Sequence, residues 1–139
     1  RDYGLIKTRN DKEVEAILIN DLSDIYNYLS DKITTIFIDE ANFMKGDIAV
    51  LIDLSINKDL DIFIAGLNLT SELKPFGIMP EIMAISDEIV LLHASCNDCN
   101  RDASYTYYNG SKDSDILVGN DNYIALCPKC LRKRLTLNK

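Results

Sequence analysis

The sequence predicts an α/β fold, in which a mostly parallel sheet with crossover helices is followed by a small zinc-binding β subdomain. Short β-branched apolar runs alternate with amphipathic helical segments up to about residue 92, an alternation typical of parallel strands joined by helices. Beyond residue 92, two Cys-x-x-Cys pairs bracket short aromatic runs, a pattern typical of zinc-binding subdomains. We therefore expect an α/β core over residues 1–92 and a zinc-binding subdomain over residues 93–139.

The first half of the predicted core contains two helices and one strand. Asp21 can cap a helix whose apolar residues follow the i, i+3, i+4, i+7 spacing. Residues 32–38 are almost wholly apolar and too short for a helix, which predicts a buried strand. A second amphipathic helix is predicted over residues 48–56. The apolar stripe of the first helix is Leu22, Ile25, Tyr26 and Leu29, and the second carries Ile48, Leu51, Ile52 and Ser55 on one stripe.

The second half of the core repeats this order. A buried strand is predicted over residues 62–65, ending at Gly66, and Pro80 opens a short helix. A further strand is predicted over residues 89–92. In the second subdomain, residues 104–108 and 116–118 read as short strands around an Asn-Gly turn.

The four cysteines form two pairs, Cys96/Cys99 and Cys127/Cys130, with 27 residues between them. Each pair can place two thiolates on one turn, so the two pairs complete a tetrahedral zinc site. A disulfide or redox role is the alternative, which the absence of a secretory signal disfavours. Because four thiolates leave no ligand position open, the zinc would be structural. His93 is expected on a strand surface rather than among the ligands.

Composition narrows the class of protein. The chain has 139 residues, is 47% hydrophobic and carries a formal net charge of −7, so we expect one domain, or one domain with a small appendage. An acidic balance disfavours a general nucleic-acid binder. No run of eighteen apolar residues and no signal peptide is found, so we expect a cytoplasmic protein without a membrane partner. Because residue 1 is Arg1 rather than methionine, we expect a fragment or a processed product.

Two acids, Asp39 and Glu40, follow the first predicted strand directly. Ligands of parallel sheets bind outside the carboxyl ends of the strands. An apolar strand ending in aspartate is also the Walker B arrangement of nucleotide-binding proteins, in which the acid holds Mg²⁺. The adjacent glutamate can orient or deprotonate a hydroxyl nucleophile. A solvated pair of loop carboxylates is the alternative.

Several segments in register resemble the zinc-containing (type II) thymidine kinases. Residues 37–43, Phe-Ile-Asp-Glu-Ala-Asn-Phe, resemble the Ile-Asp-Glu-Ala-Gln-Phe segment of that family. Residues 66–68 and 74–80 are similar to its Gly-Leu-Asp and Pro-Phe-Gly-x-Met-Pro stretch, and residues 96–130 match its zinc-and-lasso end in order and spacing. The resemblance covers about residues 32–131 and implies a P-loop-NTPase-like (RecA-like) fold. Residues 1–92 would then be an incomplete nucleotide-kinase core and residues 93–139 a zinc-binding lasso subdomain.

The resemblance implies Mg²⁺-dependent transfer of the γ-phosphoryl group of ATP to the 5′-hydroxyl of thymidine. Glu40 would be the base, Asp39 would help to hold the metal, and the loop between the cysteine pairs would cover thymine. Structural zinc would pin the base of that loop, and the resemblance also implies a homotetramer. The residues implied to contact the nucleoside are Phe43, Leu67, Phe76, Thr106, Ile116, Leu117, Val118 and Tyr123.

The chain also departs from the family pattern. It contains no Gly-x-x-x-x-Gly-Lys-Ser/Thr loop, so we expect the phosphate-binding loop upstream of Arg1 and no phosphorylation by this chain alone. The family residue differs at Asn42, Asn68, Ser71 and Tyr108. A degenerate, non-catalytic module with a structural or assembly role therefore stays open as an alternative. A zinc-ribbon nucleic-acid binder is disfavoured by the net charge.

Two further features have plain structural interpretations. The alternating aromatics Tyr105, Tyr107 and Tyr108 are interpreted as hairpin packing rather than as a platform for stacking bases. The basic run over residues 132–134 is interpreted as a solvated tail.

Overall fold

The computed structural model describes residues 3–7, 13–110 and 122–137. In this part the chain is mixed α/β, with four two-stranded sheets. The strands are β1 (Tyr3–Lys7), β2 (Glu13–Ile17), β3 (Thr35–Ile38), β4 (Asp61–Ile64), β5 (Ala94–Ser95), β6 (Asp102–Ala103), β7 (Tyr105–Tyr108) and β8 (Tyr123–Leu126). The helices are two 3-10 helices (Leu22–Tyr28 and Ala41–Phe43), α1 (Ala49–Ile52) with a π-helical turn (Asp53–Asn57), α2 (Met79–Ile85) and α3 (Pro128–Leu137).

The chain divides into two compact units. The first comprises Arg1–Gly66 and Gly77–Ile85, and the second comprises Leu67–Phe76 and Ser86–Lys139. The predicted division near residue 92 stays a prediction. No helix in the described ranges combines the length and the apolar character needed to cross a bilayer.

The predicted cap at Asp21 is confirmed. Its carboxylate accepts a hydrogen bond from the backbone N–H of Ser23 (2.9 Å), and the Asp24 carboxylate accepts one from the backbone N–H of Asp21 (3.2 Å), which completes a capping box. The helix is of the 3-10 type, so residues three apart line up. Leu22 and Ile25 are therefore buried, whereas Tyr26, predicted on the apolar stripe, is exposed.

β3 and β4 form a parallel pair, as the predicted strand–helix–strand order requires. The isoleucines of both strands pack against the apolar cluster of the first unit. On the other face, Phe37 and Phe63 lie opposite each other, with ring centroids 5.1 Å apart, and both are exposed. The two strand predictions are confirmed, but within the described residues burial is confined to one face.

The connection between these strands is helical, as predicted. Its buried stripe passes through Leu51 and Leu54, with Ile48 packed beside them, whereas Ser55 is exposed. Ser55 and Ile52, which is 40% exposed, were therefore wrongly predicted on the buried stripe. Burying a leucine side chain is favourable by about 2 kcal/mol, whereas a buried serine hydroxyl would need a hydrogen-bond partner.

α2 begins at Met79, one residue before Pro80. Proline is tolerated in the first turn because the N–H that it lacks has no partner within the helix there.

Gly77 precedes this helix with φ +52°, and a Cβ at Gly77 would collide with the backbone oxygen of Asn42. The chain at residue 77 can therefore approach the turn after β3 only as glycine.

The strand predicted over residues 89–92 is not formed. All four side chains are exposed, and no described strand pairs with this segment. A strand requires a neighbouring backbone for its hydrogen bonds, and apolar composition alone does not supply one. The mostly parallel sheet is thus represented by one parallel pair in the described ranges.

The second unit contains two antiparallel pairs, β5–β6 and β7–β8. β7 confirms the predicted strand near residues 104–108, whereas β8 was not predicted. The other predicted strand, residues 116–118, lies outside the described residues. Tyr105 and Tyr107 pack against an apolar cluster that includes Leu126 and Leu131, so their predicted packing role is confirmed.

Candidate functional site

The four cysteine sulfurs of the second unit lie within 4.8 Å of one another. Cys96 follows β5, and its carbonyl accepts hydrogen bonds from the backbone N–H groups of Cys99 (3.3 Å) and Asn100 (2.8 Å). This turn over residues 96–99, called the knuckle below, presents the first pair of sulfurs. Cys127 follows β8 directly, and Cys130 lies in the first turn of α3. Two strand ends therefore deliver the two pairs to one place.

The geometry of the sulfurs fits a zinc ion. The Sγ atoms of Cys99 and Cys127 are 3.7 Å apart, close to the edge of about 3.8 Å of a tetrahedron with Zn–S bonds of about 2.3 Å. A disulfide would require about 2.05 Å, and all four cysteines are free. Four thiolates are a donor set of structural zinc sites. The four residues can therefore hold a zinc ion, with no coordination position left open.

Arg101 faces one sulfur from each pair. Its Nε donates to Cys99 Sγ (3.4 Å) and its Nη2 to Cys127 Sγ (3.8 Å), while the backbone N–H of Cys127 donates to Cys96 Sγ (3.3 Å). The guanidinium lowers the pKa of Cys99 to about 6, whereas burial raises the pKa of Cys130 to about 12. Arg101 was not among the predicted site residues. Its position two residues after Cys99 was the one available signal.

His93 lies outside the group of sulfurs. It is exposed, and its Nδ1 lies 3.1 Å from the hydroxyl of Ser104. It precedes β5 instead of lying within a strand.

Asp39 and Glu40 follow β3 in the first unit, and both side chains are exposed. The Asp39 carboxylate accepts a hydrogen bond from the backbone N–H of Glu40 (2.9 Å). Glu40 has φ +53°, in the left-handed region, which costs a residue other than glycine about 1 kcal/mol or more. Hydrogen bonds from the N–H of Ala41 to the carbonyl of Ala65 (3.0 Å) and from the N–H of Ala65 to the carbonyl of Ile38 (2.8 Å) join the two strand ends there. The sheet edge thus holds a strained turn that carries two carboxylates.

The predicted nucleoside contacts fall into separate groups. Phe43 ends the 3-10 turn after Glu40 and is exposed. Leu67 and Phe76 lie at the two ends of one loop in the second unit, where the N–H of Phe76 donates to the carbonyl of Asn68 (3.1 Å). The predicted contacts at residues 116–118 lie outside the described residues.

Thr106 and Tyr123 lie on neighbouring strands. Tyr108 of β7 is opposite Tyr123 of β8, with ring centroids 5.1 Å apart. Thr106 lies two residues from Tyr108, so Thr106 and Tyr123 share one face of the pair. Tyr105 and Tyr107 occupy the alternate positions and pack on the apolar cluster. The face of Thr106 and Tyr123 also carries the half-buried Tyr108 and Ala125, and Ala125 packs against the cluster.

The interpretation of residues 132–134 as a solvated tail is wrong for Arg134. These residues belong to α3, and Arg134 makes two hydrogen bonds with the carboxylate of Asp98 in the knuckle. Arg134 lies four residues after Cys130, so both fall on one face of the helix. That spacing was the signal in the sequence.

Comparisons with known proteins agree with this arrangement. A family model described as thymidine kinase matches residues 1–131, so the similarity begins before residue 32, where we expected it to start. A thymidine kinase of Pseudothermotoga lettingae is 33% identical over 140 residues, covering 98% of this chain and 76% of that protein. One of Mycoplasma mobile is 32% identical over 129 residues (92% and 64%), and one of Onion yellows phytoplasma is 33% identical over 131 residues (90% and 62%). The chain thus spans less than two thirds of the length of two of these three relatives.

Proposed function

The chain belongs to the thymidine kinase family, and on that premise we propose that it carries the nucleoside-binding part and the catalytic carboxylate of a kinase acting on thymidine. The reaction would transfer the γ-phosphoryl group of ATP to the 5′-hydroxyl of thymidine. The observation that supports this most is the Asp39–Glu40 turn. Its two exposed carboxylates lie at the carboxyl end of a parallel strand pair, where such sheets bind ligands.

The two carboxylates would have different roles. The exposed carboxylate of Glu40, on a strained turn directly after the strand, would be the base that accepts a proton from the hydroxyl. Asp39, whose carboxylate is also exposed, would hold Mg²⁺, directly or through water. When bound, Mg²⁺ would neutralise charge on the phosphates of ATP.

The proposed nucleoside contacts are side chains that the family resemblance implies. Thr106 and Tyr123 would use their shared face of the β7–β8 pair. The remaining proposed contacts are Phe43, Leu67, Phe76, Ile116, Leu117 and Val118. Zinc on the four cysteines would have a structural role. It would hold the turn between β5 and β6 next to the end of β8.

The phosphate-binding part of the site is proposed to lie upstream of Arg1. The 139 residues contain no Gly-x-x-x-x-Gly-Lys-Ser/Thr loop, and without one the β- and γ-phosphates of ATP have no backbone cradle. We also propose a homotetramer, as the family resemblance implies, and a cytoplasmic location.

A degenerate module without catalytic activity is the second candidate. Two substitutions favour the degenerate module: Asn68 stands where the family has aspartate, and Ser71 stands where it has phenylalanine. Both residues belong to the loop that carries Leu67 and Phe76. A smaller side chain at Ser71 would leave the pocket looser and weaken discrimination between nucleosides.

Steady-state phosphorylation by the full-length protein separates the two candidates. Thymidine, deoxycytidine and deoxyguanosine are each supplied with ATP, with and without Mg²⁺. The kinase predicts Mg²⁺-dependent formation of thymidine monophosphate, with the other nucleosides as poorer substrates. Absence of product from every nucleoside, with the zinc content intact, would favour the degenerate module.

A further inference from the structure

We propose that Arg134 is a positioning residue that ties the knuckle to the far end of the β7–β8 pair, and so holds the face carrying Thr106 and Tyr123. The use of that face as a nucleoside-binding surface rests on the proposed function. The tie itself involves only described residues of the second unit.

The guanidinium of Arg134 uses all three of its nitrogens. Nη2 and Nε donate to the two carboxylate oxygens of Asp98, at 2.8 and 3.2 Å, which is the bidentate geometry of strong Arg–carboxylate pairs. Nη1 donates to Oδ1 of Asn109 at 3.2 Å. The guanidinium carbon lies 6.0 Å from the ring centroid of Tyr107, within the range of a cation–π contact.

These contacts are better shielded than an ordinary surface ion pair. The side chains of Arg134 and Asp98 are 33% and 30% exposed, whereas the Lys74–Glu72 pair is 72% and 71% exposed. Exposed pairs contribute little to stability, but bidentate, ordered ones can contribute measurably. Shielding and two-point geometry together favour an energetic role for the Arg134 pair.

The position of the tie complements that of the metal site. Leu126, opposite Tyr105, leads directly into Cys127, so the sulfurs hold that end of the pair. Asn109 lies past the opposite end, where its N–H donates to the carbonyl of Asn122 (2.8 Å). The β7–β8 ladder has four residue pairs, and two-stranded ladders are marginally stable alone. Arg134 therefore anchors the end that the metal site does not reach.

Arginine is required because the contacts diverge. A lysine ammonium is a compact point charge and cannot reproduce the planar fork that reaches Asp98 and Asn109 together. Lysine at position 134 should therefore keep the charge and part of the pairing with Asp98, but lose the second hydrogen bond to Asp98 or the one to Asn109.

The test compares zinc-loaded full-length wild type with Arg134→Gln, Arg134→Lys and the control Arg132→Gln. The control removes the same charge from an exposed position on the same helix. Three properties of each variant are measured. They are the zinc content, the backbone hydrogen exchange over residues 105–109 and 122–126, and the KM and kcat for thymidine. In Arg134→Gln, we expect exchange in these strands and KM to rise roughly three- to tenfold, the scale of one ion pair with a hydrogen bond. Zinc content and kcat should stay near wild type, Arg134→Lys should be intermediate, and Arg132→Gln should match wild type.

Asp98→Asn and Asn109→Ala test the two contacts separately. Each should reproduce part of the faster exchange, and each should add little in an Arg134→Gln background, because the shared contact is already gone. The tie would be overturned if Arg134→Gln exchanged its backbone hydrogens at the wild-type rate. It would also be overturned if the variant lost zinc to the same degree as its exchange became faster. Absence of thymidine phosphorylation by wild type would instead overturn the proposed function, while the exchange rates would still decide the tie.

Discussion

The Sγ atoms of Cys99 and Cys127 lie 3.7 Å apart, although the residues are 28 positions apart in the chain. This separation is that of neighbouring corners of a zinc tetrathiolate and is far too long for a disulfide. The contact brings the knuckle after β5 against the end of β8. A metal ion at this point would therefore join two segments that β6, β7 and β8 separate along the chain.

The first prediction is that the purified protein contains one equivalent of zinc per chain. Loss of a residue that only hydrogen-bonds a metal ligand weakens metal binding by about 10–100-fold. Cys127→Ser removes a ligand itself, so it should weaken zinc binding by at least that factor. Metal analysis and competition with a chelator measure both quantities. Purified protein without metal and with its cysteines oxidised would contradict the zinc assignment.

The second prediction concerns Arg101, whose guanidinium faces two sulfurs. A zinc ion with four thiolates carries a net charge of −2, so removing a neighbouring cation should weaken zinc retention. We expect Arg101→Gln to release zinc to a chelator about tenfold faster, the lower end of outer-partner effects. Lys129→Gln removes a positive charge from an exposed position between Cys127 and Cys130 and serves as the control. Equal release rates in the two variants would mean that Arg101 acts only through overall charge.

The third prediction assigns different roles to Glu40 and Asp39. In the full-length protein, Glu40→Gln should lower kcat for thymidine by roughly 10²–10⁴-fold, the scale of a lost general base, with little change in nucleoside affinity. Asp39→Asn should instead raise the Mg²⁺ concentration required, because an amide oxygen is a weaker ligand for a hard cation. Steady-state kinetics against Mg²⁺ concentration measure both effects.

Glu81→Gln is the matched control for these variants, since Glu81 is an exposed glutamate on α2 of the same unit. It should behave as wild type. An active Glu40→Gln variant would identify the Asp39–Glu40 pair as surface carboxylates and favour the degenerate module.

The fourth prediction is that Gly77→Ala destabilises the protein. Alanine would have to adopt φ +52° and would place its Cβ against the backbone oxygen of Asn42. We expect a loss of more than about 1 kcal/mol in the free energy of unfolding, measured by denaturant titration. Gly4→Ala is the control, because no atom of the described residues lies within 4 Å of its added Cβ. Equal stability of the two variants would contradict the close approach at residue 77.

The fifth prediction follows from the hydrogen bond between Tyr26 Oη and the Asp53 carboxylate, 2.6 Å long. This bond lowers the pKa of Asp53 from its ordinary value of 3.8, so its contribution is present above pH 3.8 and lost as the pH falls through the lowered pKa. Tyr26→Phe should therefore be less stable than wild type at neutral pH, with a difference that shrinks in acid. Thermal unfolding between pH 3 and 7 measures this, with Tyr28→Phe as the control. A difference that does not change with pH would exclude the carboxylate as the cause.

Local features of this chain could be predicted because their physical causes are local. The ligand set is readable from two Cys-x-x-Cys turns, since such a turn places both sulfurs on one side. The cap at Asp21 depends on backbone groups within three residues. The strands that became β3 and β4 are marked by β-branched apolar runs separated by a helix.

Pairing between distant segments was decided by the tertiary structure. The apolar run over residues 89–92 satisfies the composition of a strand, but strand formation depends on a backbone neighbour that composition does not identify. β8 was missed for the converse reason, because its four residues become a strand through pairing with β7. Tyr26 left the predicted stripe because the helix is wound as a 3-10 helix.

The sequence by itself determined which residues can bind metal and which carboxylates end a strand, because chemistry and short spacing are properties of the chain. Only the tertiary structure decided that Arg101 faces the sulfurs and that Arg134 contacts Asp98 across 36 positions. From the sequence alone, a charged side chain is predicted to be solvated unless its partner lies close to it along the chain. Partners this far apart meet only after the strands and α3 have packed, so their pairing is a consequence of the fold.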